Sequence, residues 1–215
     1  CLILLARYPQ PGQVKTRLIP ALGAEGAAQV YRQLAEHTVA QGRILQSQRS
    51  LALNLWYTGA TEAAMQTWLG EGLIYQAQPQ GDLGDRLTAA FRFAFDQGYG
   101  SAIAVGTDCP GLNAGILEQG FTALENHPLV LGPAQDGGYY LIGLKQLWPR
   151  LFQGIAWSTA SVLAQTLAQA RQLGLTPAFL PTLTDVDRPE DLAAWQPITW
   201  TGPTPSSRRR PPEFR

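Results

Sequence analysis

The feature that most constrains this chain is an alternation: short apolar runs and stretches of helical periodicity follow one another almost from end to end. Leu2 to Ala6 reads as a buried strand, and a Pro/Gly-rich loop carries the chain through Gly12. A long helix follows from about Ala24 to Leu45. Leu51 to Tyr57 alternates in the manner of a strand, with Leu51, Leu53 and Leu55 on one face. A short helix over Glu62 to Leu69 ends at Gly70, where a C-cap favours glycine. A strand near Leu73 to Ala77 leads to an amphipathic helix in which Leu83, Leu87, Phe91 and Phe95 recur every fourth position, closed by Gly98. Ser101 to Gly106 is the next buried strand, and Asn113 caps a helix that turns Ile116, Leu117, Phe121 and Leu124 inward. Further strands are expected at Leu129 to Leu131 and Tyr139 to Gly143, then a helix capped by Ser158 with Val162, Leu163, Leu167 and Leu173 inward and Gly174 at its end. A last strand at Pro177 to Leu180 precedes a short helix at Pro189 to Trp195.

Strand–helix alternation of this kind predicts an α/β fold, a three-layer α/β/α sandwich around a mostly parallel sheet. No internal repeat and no interior linker divides residues 1–196, which read as one domain; residues 197–215, with their prolines and Arg208, Arg209 and Arg210, read as a flexible solvated tail.

Composition removes several classes of function. Lys and Arg number 16 against 16 Asp and Glu, so no overall charge draws the chain to nucleic acid or to an anionic membrane, and basic residues that matter must act locally. Two cysteines, Cys1 and Cys109, make no disulfide framework, and no Cys/His spacing matches a zinc site. No apolar run is long enough to span a membrane. The chain opens on Cys-Leu-Ile-Leu-Leu-Ala without a methionine, so a few native residues are expected to precede it; the opening lacks the charged region and cleavage site of a signal peptide, which makes the cytoplasm the expected location.

In open parallel sheets ligands bind beyond the carboxyl ends of the strands, and the polar, glycine-rich segments of this chain fall there repeatedly. After the first strand, Arg7, Lys15 and Arg17 lie within eleven residues around Gly12. Arg forks and Lys suit phosphate oxygens, and glycine admits close backbone approach. The segment is neither a Walker A loop nor a Gly-x-Gly-x-x-Gly fingerprint. Gln80-Gly81-Asp82-Leu83-Gly84-Asp85-Arg86 opens a helix, where Asp82 is a good N-cap and free N–H groups face an anion or a base edge. Asp108, in Gly106-Thr107-Asp108-Cys109-Pro110-Gly111, follows a buried strand and suits Mg²⁺ ligation with substrate phosphates, or a plain turn. Cys109 has no loop histidine to activate it, since His37 lies within the first helix and His127 at a helix end. Asp136-Gly137-Gly138 fits a type I′ hairpin, and the same residues can line an acceptor pocket. Trp157 and Ser158 fit core packing and capping as well as ligand contact. Asp187 fits a helix cap, yet Asp185 and Asp187 point to one side if extended, as a metal pair requires.

Together these segments resemble a known family. A-R-Y-P-x-P-G-x-V-K-T-R-L, G-D-L-G-x-R, G-T-D-C-P-G-L, L-G-P-A-x-D-G-G-Y-Y-L-I-G-L, W-S-T and D-V-D-x-P-E-D-L occur in the order found in the bacterial domain-of-unknown-function family 2064, whose members are labelled GT-A-like glycosyltransferases or radical-SAM/selenodomain-associated transferases. The resemblance covers about Leu2 to Leu192 and extends to the nucleotidyltransferases of the same fold, phospholactate guanylyltransferase among them. It implies a GT-A, nucleotide-diphospho-sugar transferase-like fold and a transferase using a nucleoside triphosphate or nucleotide-sugar donor with a small-molecule acceptor. By that likeness Arg7, Gly12, Lys15, Thr16 and Arg17 bind the nucleotide phosphates, Gly81, Asp82 and Gly84 meet the base, and Lys15 and Asp108 act in catalysis. Asp108 and Asp187 hold Mg²⁺ or Mn²⁺, and Asp136, Gly137, Gly138, Tyr139, Trp157 and Ser158 face the acceptor. A homodimer is compatible with it. Asp108-Cys109-Pro110 departs from the Asp-x-Asp of glycosyltransferases toward the Asp-x-Pro of nucleotidyltransferases, and the first loop has a single glycine where pyrophosphorylases carry several. The alternative reading is a nucleotide-binding regulatory module without turnover.

Overall fold

A computed structural model describes residues 1–195. The boundary expected at residue 196 and the tail of 197–215 lie outside the described residues. Among the described residues, seven strands form one sheet: β1 (Leu2–Arg7), β2 (Leu53–Thr58), β3 (Ile74–Ala77), β4 (Ala102–Val105), β5 (Leu129–Pro133), β6 (Tyr139–Leu144) and β7 (Pro177–Phe179). Their order is β3-β2-β1-β4-β6-β5-β7, and all run parallel except β6, which is antiparallel to both β4 and β5. Five helices accompany it: α1 (Ile19–Gln48), α2 (Glu62–Leu69), α3 (Leu83–Asp96), α4 (Ala114–Asn126) and α5 (Val162–Gln172).

Period-two alternation within each strand divides the core between the two faces of the sheet. Leu2, Leu4, Leu53, Leu55, Ile103 and Val105 meet Val39 and Leu45 of α1, Met65 and Leu69 of α2, and Leu117 and Phe121 of α4. Ile3, Trp56, Ala104 and Ile142 face the other way, onto Leu87 and Phe91 of α3, Leu151 and Phe152, and Ala170 of α5. The three-layer α/β/α sandwich is therefore the observed architecture.

Local signals placed most of these elements. Thr61 and Asn113 accept the N–H groups of Ala64 and Ile116 as N-caps, and Gly70 ends α2 with φ 79°. Gly23, at φ 71° and ψ 169°, breaks the first turn of α1, so the regular helix runs from Ala24, as its periodicity indicated. Replacing Asn113 by Ala is expected to cost about 1 kcal/mol in chemical denaturation, with an unchanged denaturant slope.

Four local expectations are corrected. Leu51 falls outside β2, and that strand is buried on both faces instead of one, because helices cover both; Asn54 and Trp56 fill the second face. Leu83 is 39% exposed and takes no part in the core stripe of α3, since its place in the first turn lies at the rim of the sheet. Ser158 does not cap α5; it sits at φ 63° in a loop, and the helix begins after Ser161. The Asp136-Gly137-Gly138 turn is not type I′, which needs two positive φ values: only Gly137 (φ 90°) has one, and Gly137 N–H donates to Ala134 O at 3.2 Å. This is a type I turn closed by a left-handed glycine, the usual solution for a three-residue connection.

Candidate active site

A cleft of about 540 Å³ runs along the carboxyl-terminal edge of the parallel strands. Its lining follows the sheet order, from Gln78 beyond β3 and Thr58 at the end of β2, through Arg7 at the end of β1, Lys15 after it and Asp108 after β4, to Asp136 and Tyr139 at the β5–β6 turn.

Lys15 is fixed by its neighbours in sequence. Val14 packs with Ala28, Tyr31 and Ala35, while Leu18 packs with Val30, Leu34 and Val186. Between these two apolar anchors Lys15 adopts a left-handed conformation (φ 46°, ψ 43°), and its side chain is only 5% exposed. Its Nζ lies 2.6 Å from Asp108 Oδ1 and 3.9 Å from Asp187 Oδ1. Arg17 pairs with the other oxygen of Asp187. The result is a row of alternating charge, Asp108–Lys15–Asp187–Arg17, in which Arg17 and Asp187 are 170 residues apart in sequence.

The distant carboxylates reach the cleft through a backbone splice. Gln135 N–H donates to Leu183 O, Leu183 N–H to Pro133 O, and Val186 N–H to Asp108 O at 2.9 Å. Val186 is fully buried, so Asp185 and Asp187 flank it on the opposite side and both line the cleft. Burial, and then the charge of Asp136, raise the Asp185 carboxyl above its ordinary range.

Beneath the cations lies Tyr31. Its hydroxyl accepts Arg7 N–H at 2.7 Å and the Thr107 hydroxyl at 3.2 Å, tying α1 to the ends of β1 and β4. Burial, with the Asp108 charge adding to it, pushes this phenol up to about 12, so it stays protonated at neutral pH. Burial likewise pushes the Cys109 thiol well above its ordinary range, with Asp108 adding to the effect, and His37 Nε2 engages Leu112 O at 2.8 Å. Neither group is set up for thiol chemistry.

Of the residues singled out from the sequence, Arg7, Lys15, Asp108, Asp136, Gly138, Tyr139, Trp157, Ser158 and Asp187 line this one cleft. Gly12, Thr16, Arg17, Gly81, Asp82, Gly84 and Gly137 do not. Gly12 (φ 76°) serves its turn, with open space where a Cβ would stand. Asp82 accepts Asp85 N–H at 2.9 Å while Asp85 accepts Asp82 N–H at 3.1 Å, a reciprocal capping box on α3. A Cβ on Gly84 would lie 2.6 Å from Phe152 O, so that glycine lets α3 approach the 149–152 segment. Gly137 does the same for the loop carrying Trp157 and Ser158: its Cβ would lie 2.2 Å from Ala160 O, and its carbonyl accepts Leu163 N–H at 2.9 Å. Asp82→Ala is accordingly expected to lower stability by about 1 kcal/mol, read by thermal unfolding.

Sequence reasoning passed over Arg86, Gln78 and Thr58, which all line the cleft. Arg86 closes the Gly81–Arg86 motif, a signal that was present; Gln78, just beyond β3, and Thr58, at the end of β2, carry no motif, and only the strand order brings them to the cleft.

The donor set is oxygen-rich. Among the described residues no three His, Cys, Asp or Glu side chains stand close enough to hold an ion unaided. Asp108 and Asp187 converge on the ammonium of Lys15, however, and a pair of carboxylates completed by substrate phosphates is the usual setting for Mg²⁺. The residues fit such an ion when a phosphorylated ligand accompanies it.

No described helix is long and apolar enough to cross a membrane. No curated protein matches the sequence. Among solved structures, a provisionally named nucleotide-diphospho-sugar transferase from Desulfovibrio desulfuricans G20 shares 33% identity, over 87% of this chain and 82% of that one, with a TM-score of 0.80. At 9% identity, 4-diphosphocytidyl-2C-methyl-D-erythritol synthase from Anaerococcus prevotii DSM 20548 shares the fold (TM-score 0.59, 90% and 93% of the chains). So does CMP:2-keto-3-deoxy-manno-octonic acid synthetase, solved with CTP (11% identity, TM-score 0.51, 90% and 95%). Residues 40–159, more than half of the chain, match the family described as uncharacterized protein conserved in bacteria (DUF2064). With six ordered motifs around one cleft and a family match across its centre, the chain belongs to DUF2064, within the nucleotide-diphospho-sugar transferase-like folds.

Proposed function

We propose that this protein is a metal-dependent transferase that takes its donor from a nucleoside triphosphate or a nucleotide sugar. The observation that carries this reading is the Asp108–Lys15–Asp187–Arg17 row at the end of β1 and β4. A buried ammonium held by two carboxylates leaves cations and anions ready to exchange partners: the carboxylates toward a divalent ion, Lys15 and Arg17 toward phosphate oxygens. The 33% identical relative, named for nucleotide-diphospho-sugar transfer, supports the class.

Asp108 and Asp187 would hold Mg²⁺ or Mn²⁺, which when bound supplies charge neutralisation on the donor phosphates. Lys15, preset in its strained loop, stabilises the charge that grows on those phosphates as the bond to the leaving group breaks. Arg7 adds a fork at the same edge and is braced through its backbone by Tyr31. Trp157, Ser158, Tyr139 and Gly138 line the same cleft, with Trp157 beside Gly84 of α3, and form the wall where a small acceptor would lie. Asp136 and Asp185 make that side anionic, which favours an acceptor presenting hydroxyl or amino groups.

A screen of nucleoside triphosphates and sugar nucleotides by thermal shift, with and without Mg²⁺ or Mn²⁺, tests this reading. Binding at a hundredfold excess over Kd is expected to stabilise the fold by about 2.7 kcal/mol, and only with metal present. No shift with any nucleotide would sink it. Nucleotide binding indifferent to metal, without product, would favour a regulatory module lacking turnover.

A further inference from the structure

One buried side chain in the wall of the cleft has a hydrogen-bonding capacity that the fold leaves unused. Tyr31, on α1, packs with Val14 beside Lys15 and is 6% exposed. It lines the cleft together with Thr107, itself buried. The phenol oxygen accepts Arg7 N–H at 2.7 Å and the Thr107 hydroxyl at 3.2 Å. Those two bonds fill its acceptor positions and leave its own proton to donate. Among the described residues neither hydroxyl makes another hydrogen bond. Reversing the bond between them leaves the count as it is: two hydroxyl protons share one bond, and one proton is without an acceptor at the same place. A buried donor in that condition costs as much as a lost hydrogen bond, and a ligand that supplies the acceptor offsets the cost.

The surroundings decide what that acceptor is. Arg7, Lys15 and Asp108 line the same cleft, and the Asp108 charge is near enough to act on the phenol. An oxygen whose lone pairs are both engaged has none for a metal ion, a sugar hydroxyl or a base amine; it can only donate. Burial keeps the phenol protonated at neutral pH, so it is no general base. The fitting partner is a strong acceptor that carries no proton and sits beside two cations, which describes an anionic phosphate oxygen.

We propose that Tyr31 donates a hydrogen bond to a phosphate oxygen of the bound nucleotide, as a neutral third donor beside Lys15 and Arg7. Lys15 attracts a phosphate group as a point charge and does not choose among its oxygens. A phenol pinned by two accepted bonds aims one donor in one direction and so fixes how the group is turned. The bond is donated and no proton is transferred. This inference rests on the proposed nucleotide-dependent activity and adds to it a residue that lies outside every motif singled out in the sequence.

Calorimetric titration of GTP, CTP, UTP and ATP, each with Mg²⁺, identifies the triphosphate that binds the wild type most tightly. That nucleotide is then titrated into Tyr31→Phe, into Thr107→Val and into protein carrying 3-fluorotyrosine in place of Tyr31. Tyr31→Phe is expected to weaken binding by about tenfold to a hundredfold, the worth of one hydrogen bond to a charged group. Thr107→Val removes the brace and keeps the phenol, and is expected to weaken it by less than about threefold. Fluorination keeps both accepted bonds while making the proton a stronger donor and the oxygen a poorer acceptor. The fluorinated protein is therefore expected to bind about twofold more tightly, where a purely structural role through the accepted bonds would give weaker binding. Melting temperatures report folding, and if Tyr31→Phe unfolds, the fluorinated protein carries the test. Undiminished affinity in Tyr31→Phe, an equal loss in Thr107→Val, or unchanged or weaker binding on fluorination would overturn the role of Tyr31 and leave the nucleotide site standing. Failure of the wild type to bind any of the four, or any sugar nucleotide, would instead remove the proposed function and this inference with it.

Discussion

Replacing Lys15 by methionine is expected to lower kcat/KM for the nucleotide donor by a hundredfold or more and, in the absence of nucleotide, to strengthen Mn²⁺ binding. The two effects have opposite signs for one reason. Lys15 Nζ lies against Asp108 and near Asp187, with its side chain 5% exposed. When a triphosphate is bound, its charge is aimed at oxygens on which negative charge accumulates, and loss of one such preorganised group costs about 10²–10³ in rate. When nothing is bound, the same ammonium competes with a divalent ion for the two carboxylates. Methionine keeps the length and apolar stem of the side chain, so the loop between Val14 and Leu18 retains its anchors. Steady-state kinetics with the donor found in the nucleotide screen give the first number, and Mn²⁺ titration of the nucleotide-free protein followed by electron paramagnetic resonance gives the second. A general structural defect would weaken both; only the exchange of partners moves them apart.

Gly137→Ala is expected to lower unfolding stability by about 3 kcal/mol and to reduce transfer far more than nucleotide binding. At φ 90° an alanine is strained wherever it has room, and here its Cβ would meet Ala160 O at 2.2 Å. Backbone strain of about 1–3 kcal/mol adds to a comparable penalty for overpacking. The contact belongs to the docking of the 155–163 loop on the β5–β6 turn, which Leu163 N–H also secures. Trp157 and Ser158 reach the cleft on that loop, whereas Arg7, Lys15 and Arg86 stand on other elements. Urea denaturation measures the stability loss, and comparison of nucleotide affinity with turnover locates the functional one.

The fate of Gly137 shows what the sequence could and could not reveal. An Asp-Gly-Gly turn and a position requiring glycine were legible from turn chemistry alone. That the missing side chain makes room for a segment more than twenty residues away was not, because it depends on two loops meeting. The same division holds elsewhere. Asn113 and Gly70 mark helix ends through interactions within a few residues, and the structure has those ends where the local rules put them. Strand–helix alternation similarly encodes the three layers, since each strand must bury two faces.

The cleft was legible in part. Arg7, Lys15, Asp108 and Asp187 could be named from their positions after strands and from the family motifs, and the fold brings all four to one cleft. Their pairing could not, because it runs through long-range hydrogen bonds such as Val186 N–H to Asp108 O. Asp82 and Gly84 lay in a motif that does border the cleft, yet their side-chain positions serve capping and close packing, while Leu83 and Arg86 of that same turn face it. Helical geometry explains this: residues one or two apart on a helix point in different directions, so a motif's location does not say which of its members faces a ligand.

The most direct test of the central claim is calorimetric titration of the triphosphate that binds best into the wild-type protein and into Asp108→Asn, each in Mg²⁺ and in excess chelator. The expected result is binding by the wild type in Mg²⁺, at least tenfold weaker in chelator, with Asp108→Asn weak in both because the amide can no longer hold the ion. Equal affinity in all four titrations would contradict the account, since metal and Asp108 would then have no part in holding the nucleotide.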